Sequence, residues 1–283
     1  MAAYVLAIDQ GTTGSTVALM DARGSLRASV NHEFPQIYPK PGWVEHRPAD
    51  ILGSVQKGIN SVLRKKLCKP TDIAAIGITN QRETVAIWDR KSGDALNNAV
   101  VWQCRRTTDF CAQLKAAGHE ALVRRRTGLV LDPYFSASKY RWLLRETVGA
   151  RRKLRAGQLL GGTIDSFLVW HLTGGQQHAT DISNASRTSL MNLKSGRWDR
   201  DMLALFEVPA EILPRIVPSS AVLGHTRGVR GLPDGIPIAG IAGDQQAATF
   251  GQACFSVGEA KCTFGTGSFI VMNTGDKPLR SRS

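Results

Sequence analysis

No apolar run of about 18 residues occurs in this chain, so no ordinary membrane-spanning helix is expected. The first residues lead straight into strand-like apolar sequence, without the basic segment and short apolar run of a secretory leader. Cysteine is scarce: Cys68, Cys104, Cys111, Cys254 and Cys262 are odd in number and none forms a C-x-x-C pair. That argues against a disulfide framework or a cysteine zinc site, and for a reducing, cytoplasmic setting. Acidic residues are also in deficit, 23 against 36 Lys and Arg, for a net charge of +13. A basic chain attracts anions generally, nucleotides and phosphorylated products among them. The charge sits in short runs, Arg64-Lys65-Lys66, Arg124-Arg125-Arg126 and Arg151-Arg152-Lys153, read as the late turns of helices, where cations suit the helix dipole. These read as solvated faces, so neither nucleic acid nor a membrane is an expected partner. The 283 residues suffice for one large or two modest domains.

What is present is organised around the stretch from Val5 to Asp21. Two apolar segments rich in Val, Ile and Leu, which favour strand, flank the turn Gly11-Thr12-Thr13-Gly14. Such a turn exposes backbone N–H groups and hydroxyls at one point, a concavity suited to phosphate oxygens. It leads into a strand and no helix starts there, which disfavours a dinucleotide loop of the G-x-G-x-x-G kind. Asp9 stands at the mouth of the first strand, where a carboxylate could hold Mg²⁺ through its water shell. The design recurs near the far end: Gly258 to Asn273 reads as strand, Gly265-Thr266-Gly267-Ser268 turn, strand.

Between the two hairpins the chain alternates. Ser25 to Glu33 reads as a third strand, and Ala49 to Lys66 as a helix with Ile51, Val55, Ile59, Val62 and Leu63 at three- to four-residue spacing. Ile73 to Thr79 has the continuous apolar character of a strand buried on both faces. Thr84 to Trp88 and Ala99 to Trp102 read as strands. Thr107 to Leu172 reads as mainly helical, and Thr173 to Gly235 as loop-rich. A last strand, Ile236 to Ala242, opens into a small-residue helix at Gly243-Asp244-Gln245-Gln246.

Three polar constellations fall at strand ends. Arg82-Glu83 offers adjacent donor and acceptor, readable as a structural ion pair or as a polyol-binding pair that rejects analogues lacking a hydroxyl. Asp132-Pro133-Tyr134-Phe135-Ser136 reads as a turn with aromatics. Asp244 is either a helix N-cap or a general base placed to face both phosphate-type turns.

Taken together these stretches resemble the glycerol-phosphorylating members of the FGGY carbohydrate kinase family. The resemblance rests on Asp9-Gln10-Gly11-Thr12-Thr13, Ile37 to Glu45, Gly77 to Thr84, Val101 to Thr107 and Gly240 to Ala248, with Tyr134 to Glu146 similar to the family's first signature. It implies an α/β fold of the ribonuclease H-like, actin-like ATPase and sugar kinase type. Residues 1–253 would form the substrate-binding domain and 254–283 only the first hairpin of a second. The implied reaction is ATP-dependent phosphorylation of a terminal glycerol hydroxyl, with ATP and Mg²⁺ as cofactors. By motif position Arg82, Glu83, Tyr134, Asp244 and Gln245 would contact glycerol, Phe269 would cover its carbons and Trp102 would stand near. Asp244 would take the hydroxyl proton. Thr12, Thr13, Gly14, Thr266 and Gly267 would meet the nucleotide, with Asp9 at the metal. Another polyol or sugar such as xylulose is the alternative substrate, and a non-catalytic remnant the alternative class.

The chain departs from the pattern in three places. Gly14 and Thr16 stand where these kinases usually carry Ser and Arg, which removes a charge-assisted phosphate contact. No Gly-Gly-Lys-Gly loop appears in 225–231, so regulation by a sugar bisphosphate is not expected. The resemblance also implies a larger second domain than the 254–283 segment supplies. On that reading activity of the isolated chain is low, and unpaired hairpin edges favour association into homo-oligomers.

Overall fold

The computed structural model describes residues 4–265, 267–276 and 279. Strands β1 (Tyr4–Gln10), β2 (Gly14–Asp21) and β3 (Leu26–Glu33) form an antiparallel meander. Leu6, Ile8, Val17 and Leu19 point to one face and are at most 1% exposed, as the strand period requires. A short strand, β4 (Glu45–His46), precedes helix α1 (Pro48–Arg64). Pro48 sits in its first turn, where a missing N–H costs nothing. Ile51, Val55, Ile59 and Val62 form a buried stripe against the meander, each side chain contributing about 1.5–3 kcal/mol by leaving water. Gly58 sets how near the helix lies, since a Cβ there would stand 2.5 Å from Val17 Cγ2.

The chain returns through β5 (Ile73–Asn80), parallel to β1. Ile73, Ile76, Ile78 and Asn80 are buried, while Ala75, Gly77 and Thr79 between them are half-buried. The apolar run is therefore covered fully on one face and only partly on the other.

Strands β6 (Val85–Asp89) and β7 (Ala99–Val100) belong to a second sheet. Helices α2 (Thr108–Ala116), α3 (Glu120–Thr127), α4 (Ser136–Glu146) and α5 (Ala150–Arg155) follow. The expectation of a mainly helical region holds for α2 to α5 but missed β8 (Leu159–Thr163), which completes the sheet in the order β4-β7-β6-β8. Its Gly161-Gly162 pair lacks strand propensity; close packing explains it, because a Cβ on Gly162 would lie 2.6 Å from Ser166 Cβ. As expected of the basic runs, Arg152 and Lys153 fall in the last turn of the short α5, as Arg124-Arg125-Arg126 do in α3 and Arg64 in α1.

Helix α6 (Ile164–Leu172) packs between the sheets. The segment expected to be loop-rich carries short pieces: β9 (Ala179–Asp181), α7 (Ile182–Ala185), β10 (Met191–Asn192), β11 (Arg197–Trp198), α8 (Arg200–Leu205) and β12 (Arg215–Val217). They are too short to leave a periodic signature. Strands β13 (Ser220–His225) and β14 (Pro237–Gly243) then complete the main sheet, order β13-β14-β5-β1-β2-β3, with β14 parallel to β5. Helix α9 (Asp244–Gly251) starts directly on β14. Strands β15 (Ala260–Phe264) and β16 (Ser268–Met272) form a separate hairpin. Its outer face exposes Phe264, Ile270 and Met272, while Lys261 turns inward and is buried. Among the described residues no helix is long and apolar enough to cross a membrane.

Candidate active site

The carboxyl ends of three parallel strands meet at one edge, Gln10 opposite Asn80 and Asn80 opposite Gly243. Open α/β sheets bind ligands at such an edge. The turns that follow carry Gly11–Thr13, Gln81–Thr84 and Asp244–Gln246. Trp102 enters after β7 and Tyr134 before α4. The β15–β16 hairpin faces them with Thr263, Gly265, Gly267 and Phe269. These four, together with Thr12, Gln81, Arg82, Glu83, Trp102, Tyr134, Asp244 and Gln245, line a cleft of about 180 Å³.

Arg82 and Glu83 do not pair with each other; each forms an ion pair with a different partner. Thr84 N donates to Arg82 O at 2.8 Å, closing a three-residue turn with Glu83 at φ 62°. A positive φ on such a residue costs about 1–3 kcal/mol, and here it sends the two side chains apart. Arg82 Nε donates to Asp244 Oδ1 at 2.8 Å, while Glu83 Oε1 accepts from Arg187 Nε at 2.7 Å. Arg82 and Glu83 are buried, with Asp244 only half covered.

Asp244 does not cap its helix. Gly243 is the N-cap residue and Asp244 the first helical residue. Its Oδ1 accepts from Arg82 and from Gln245 N at 2.7 Å, and Gln245 Nε2 lies 3.4 Å from Oδ2. Oδ1 is thus held by two short bonds, while Oδ2 has only the long Gln245 contact, on a residue that lines the cleft. Gly243 is the residue that permits the Arg82 contact, since a Cβ there would stand 2.6 Å from Arg82 Cδ. Gly243→Ala is therefore expected to push Arg82 off Asp244 with the fold intact. On the polyol reading that the resemblance implies, loss of a charged hydrogen bond corresponds to about tenfold in affinity, measurable by calorimetry beside an unchanged circular dichroism spectrum.

Three aromatic rings wall the cleft. Trp102 meets Tyr134 edge-on at 5.7 Å and Phe269 at 6.4 Å, and the Arg82 guanidinium lies 5.5 Å from the Phe269 ring. Gly267 makes room for Phe269, because a Cβ would approach its ring to 2.9 Å. Burial, then the Glu83 charge, pushes the Tyr134 phenol up to about 12, so it remains a hydrogen-bond donor at neutral pH. Its loop is pinned by Lys139, fully buried, whose ammonium donates to the carbonyls of Pro133 (2.7 Å), Tyr134 (2.5 Å) and Phe135 (3.0 Å). Burial holds that ammonium down to about 8.

The first turn is tied to the cleft from behind. Trp102 Nε1 donates to Thr12 Oγ1 at 2.9 Å, Gln36 Nε2 to Thr12 O at 3.1 Å, and Gln81 Nε2 to Gly11 O at 3.1 Å. His46 braces both glutamines, with Nε2 2.7 Å from Gln36 Oε1 and Nδ1 3.4 Å from Gln81 Nε2. That pairing fits the neutral ring with its proton on Nε2. Burial holds His46 down at about 4. The unfolded chain binds this proton from about pH 6.5 and the folded one only near 4, so the stability His46 provides is present above 6.5 and is lost as pH falls. His46→Gln is expected to flatten the acid limb of a Tm-versus-pH curve between pH 6.5 and 4; parallel curves would contradict the assignment.

Asp9 opens to solvent at the same edge, yet desolvation, then the Asp244 charge, raises its carboxyl above the usual range. Beside it in the β1–β5 register, the buried Thr79 hydroxyl has no hydrogen-bond partner among the described residues. Two carboxylates in mutual repulsion and an unpartnered hydroxyl suit a divalent cation held through water.

A family model for the N-terminal domain of the FGGY family of carbohydrate kinases matches residues 4–251. The chain belongs to the FGGY carbohydrate kinases. Among curated FGGY relatives, the glycerol kinase of Bdellovibrio bacteriovorus is 55% identical over 283 residues, 100% of this chain and 57% of that protein. The glycerol kinase of Stenotrophomonas maltophilia is 54% identical over 280 residues, covering 99% and 56%. Of solved structures, Plasmodium falciparum glycerol kinase with ADP superposes with a TM-score of 0.93 at 37% identity, covering 99% of this chain and 56% of that one. Xylulose kinase from Lactobacillus acidophilus gives 0.84 at 25% identity, covering 94% and 53%. The fold is thus the α/β fold of glycerol and sugar kinases, the actin-like ATPase type. This FGGY chain spans about half the length of the curated relatives it matches.

Of the residues singled out from sequence, Thr12, Arg82, Glu83, Trp102, Tyr134, Asp244, Gln245, Gly267 and Phe269 line the cleft. Asp9 stands at the same sheet edge, outside that lining, and Thr13 is exposed on the turn. Gly14 does not reach the cleft: it is buried against β3, where a Cβ would stand 2.9 Å from the His32 carbonyl. Its freedom from a side chain serves sheet packing. Thr266 lies outside the described residues. Sequence reasoning missed Arg187, His46 and Gln81 as parts of the site, and gave Lys139 and Lys261 no task. Arg187 meets Glu83 across 104 positions, so no local pattern announces it.

Proposed function

We propose that this chain provides the polyol site, the catalytic base and the first phosphate-facing turn of an ATP-dependent glycerol kinase. Asp244 takes the proton of a terminal glycerol hydroxyl on Oδ2. The hydroxyl oxygen attacks the γ-phosphorus of ATP, the bond to the β-phosphate oxygen breaks, and ADP leaves with glycerol 3-phosphate formed. Glu83 accepts from the polyol hydroxyls, Arg82, Tyr134 and Gln245 donate to them, and Phe269 and Trp102 cover the carbons. Thr12, Thr13 and Gly267 stand on the phosphate side. Asp9 would hold Mg²⁺ through water, and the ion would neutralise charge on the phosphates. Transfer of this kind needs positioning and charge neutralisation above all.

The observation that carries the reading is the single cleft in which the Arg82–Asp244 pair, three aromatic rings and turns from both hairpins meet. The identity of 51–55% to curated glycerol kinases supports glycerol over other polyols. The likeness to xylulose and gluconate kinases favours a second reading, a longer sugar as acceptor. Calorimetry of the chain with glycerol, dihydroxyacetone and xylulose separates the two. Glycerol is expected to bind tightest; tighter xylulose binding would transfer the assignment to a sugar. Turnover is tested in a chimera in which the chain is continued by the C-terminal part of the Bdellovibrio relative.

A further inference from the structure

We infer that Lys261 is a positioning residue for the polyol site, acting through Gln245; the inference rests on the polyol reading of the cleft. Lys261 lies on β15, in a hairpin whose outer side chains are largely open to solvent, yet it is only 7% exposed. Its ammonium donates to Gln245 Oε1 and, at 2.5 Å, to Thr263 Oγ1. Gln245 is itself buried on the first turn of α9.

An amide has one acceptor oxygen and one donor nitrogen. With Oε1 occupied by the lysine, Nε2 turns toward Asp244 Oδ2, 3.4 Å away, and presents its remaining N–H to the cleft. A flipped amide would set its oxygen against the Asp244 carboxylate. Lys261 thereby makes Gln245 an obligate donor beside the base, so the polyol oxygen at this point must act as an acceptor. The lysine also joins the far hairpin to the helix that starts at Asp244. A buried ammonium is costly unless bonded, so the contact keeps the hairpin seated against α9.

The test is a double-mutant cycle on glycerol affinity, measured by calorimetry on the chain with Lys261→Met, Gln245→Leu and the pair. Lys261→Met is expected to weaken binding about tenfold, the scale of a charged hydrogen bond. In the Gln245→Leu background the same change is expected to cost nothing further. Additive losses, or unchanged affinity in Lys261→Met, would overturn the inference. A second readout needs neither glycerol nor a lysine variant: reductive methylation of Lys261, followed by peptide mass spectrometry. In the unaltered chain Lys261 is expected to be protected, and in Gln245→Leu to react several-fold faster; equal rates overturn the link. If the unaltered chain binds no glycerol but methylation behaves as expected, the polyol reading fails and the Lys261–Gln245 link stands.

Discussion

Asp244→Asn is expected to keep glycerol binding within a few-fold and to reduce turnover by about 10²–10⁴, the range of a general base. The reasoning follows from how the two carboxylate oxygens differ. Oδ1 is held by Arg82 and by a backbone N–H, and an amide oxygen reproduces that acceptor. Oδ2 becomes an NH₂ group, which donates to the polyol and takes no proton. The contact there inverts from acceptor to donor and sets the new NH₂ against the Gln245 amide nitrogen; the remaining polyol contacts hold binding within a few-fold, and the proton sink is lost. The measurements are calorimetry on the chain and transfer rate in the chimera. Unchanged turnover would remove Asp244 as base. Lost binding with residual turnover per bound glycerol unchanged would make it a binding residue only.

Arg187→Met is expected to be the largest stability change in the site. Glu83 is 2% exposed and its carboxylate is held by Arg187, whose guanidinium also lies 4.9 Å from the Phe135 ring and 5.6 Å from that of Tyr134. Removing the cation leaves a buried carboxylate unpaired, which costs about 3 kcal/mol at the lower end of the measured range. Glycerol affinity should fall with it, by about a hundredfold, since Glu83 and Tyr134 both lose their support. Adding Glu83→Gln discriminates between the two effects. Stability is expected to recover, because no buried charge remains, while affinity stays low for want of the acceptor. Thermal melts and calorimetry on the parent, the Arg187→Met variant and the double variant read this out; an Arg187→Met variant as stable as the parent would show that Arg187 does not hold Glu83.

The positioning of Arg187, Lys139, Lys261 and His46 illustrates why part of the site escaped a reading from sequence. Each is a charged or titratable side chain whose partner lies elsewhere in the chain or on a turn of unusual shape. Arg82-Glu83 illustrates a different limit. The dipeptide was legible as functional, but its partners were not, because a positive φ at Glu83 turns one side chain to Asp244 and its neighbour to Arg187. Gly14 misled for a related reason. A glycine in a phosphate-type turn and one demanded by a neighbouring strand look alike until the strand is in place. The short elements between Thr173 and Gly235 left no period to detect.

The sequence by itself determined the meander, the α1 stripe, the strand leading into Asp244 and the family to which the chain belongs. Strand and helix periods, glycine turns and long ordered motifs are local, and local chemistry is written in order along the chain. Only the tertiary structure decided which polar group meets which: the Arg82–Asp244 pair, the Arg187–Glu83 pair and the lysine that sets an amide. Those contacts depend on parallel strands ending at one edge and on a hairpin folding back across it, distances that no run of neighbouring residues encodes.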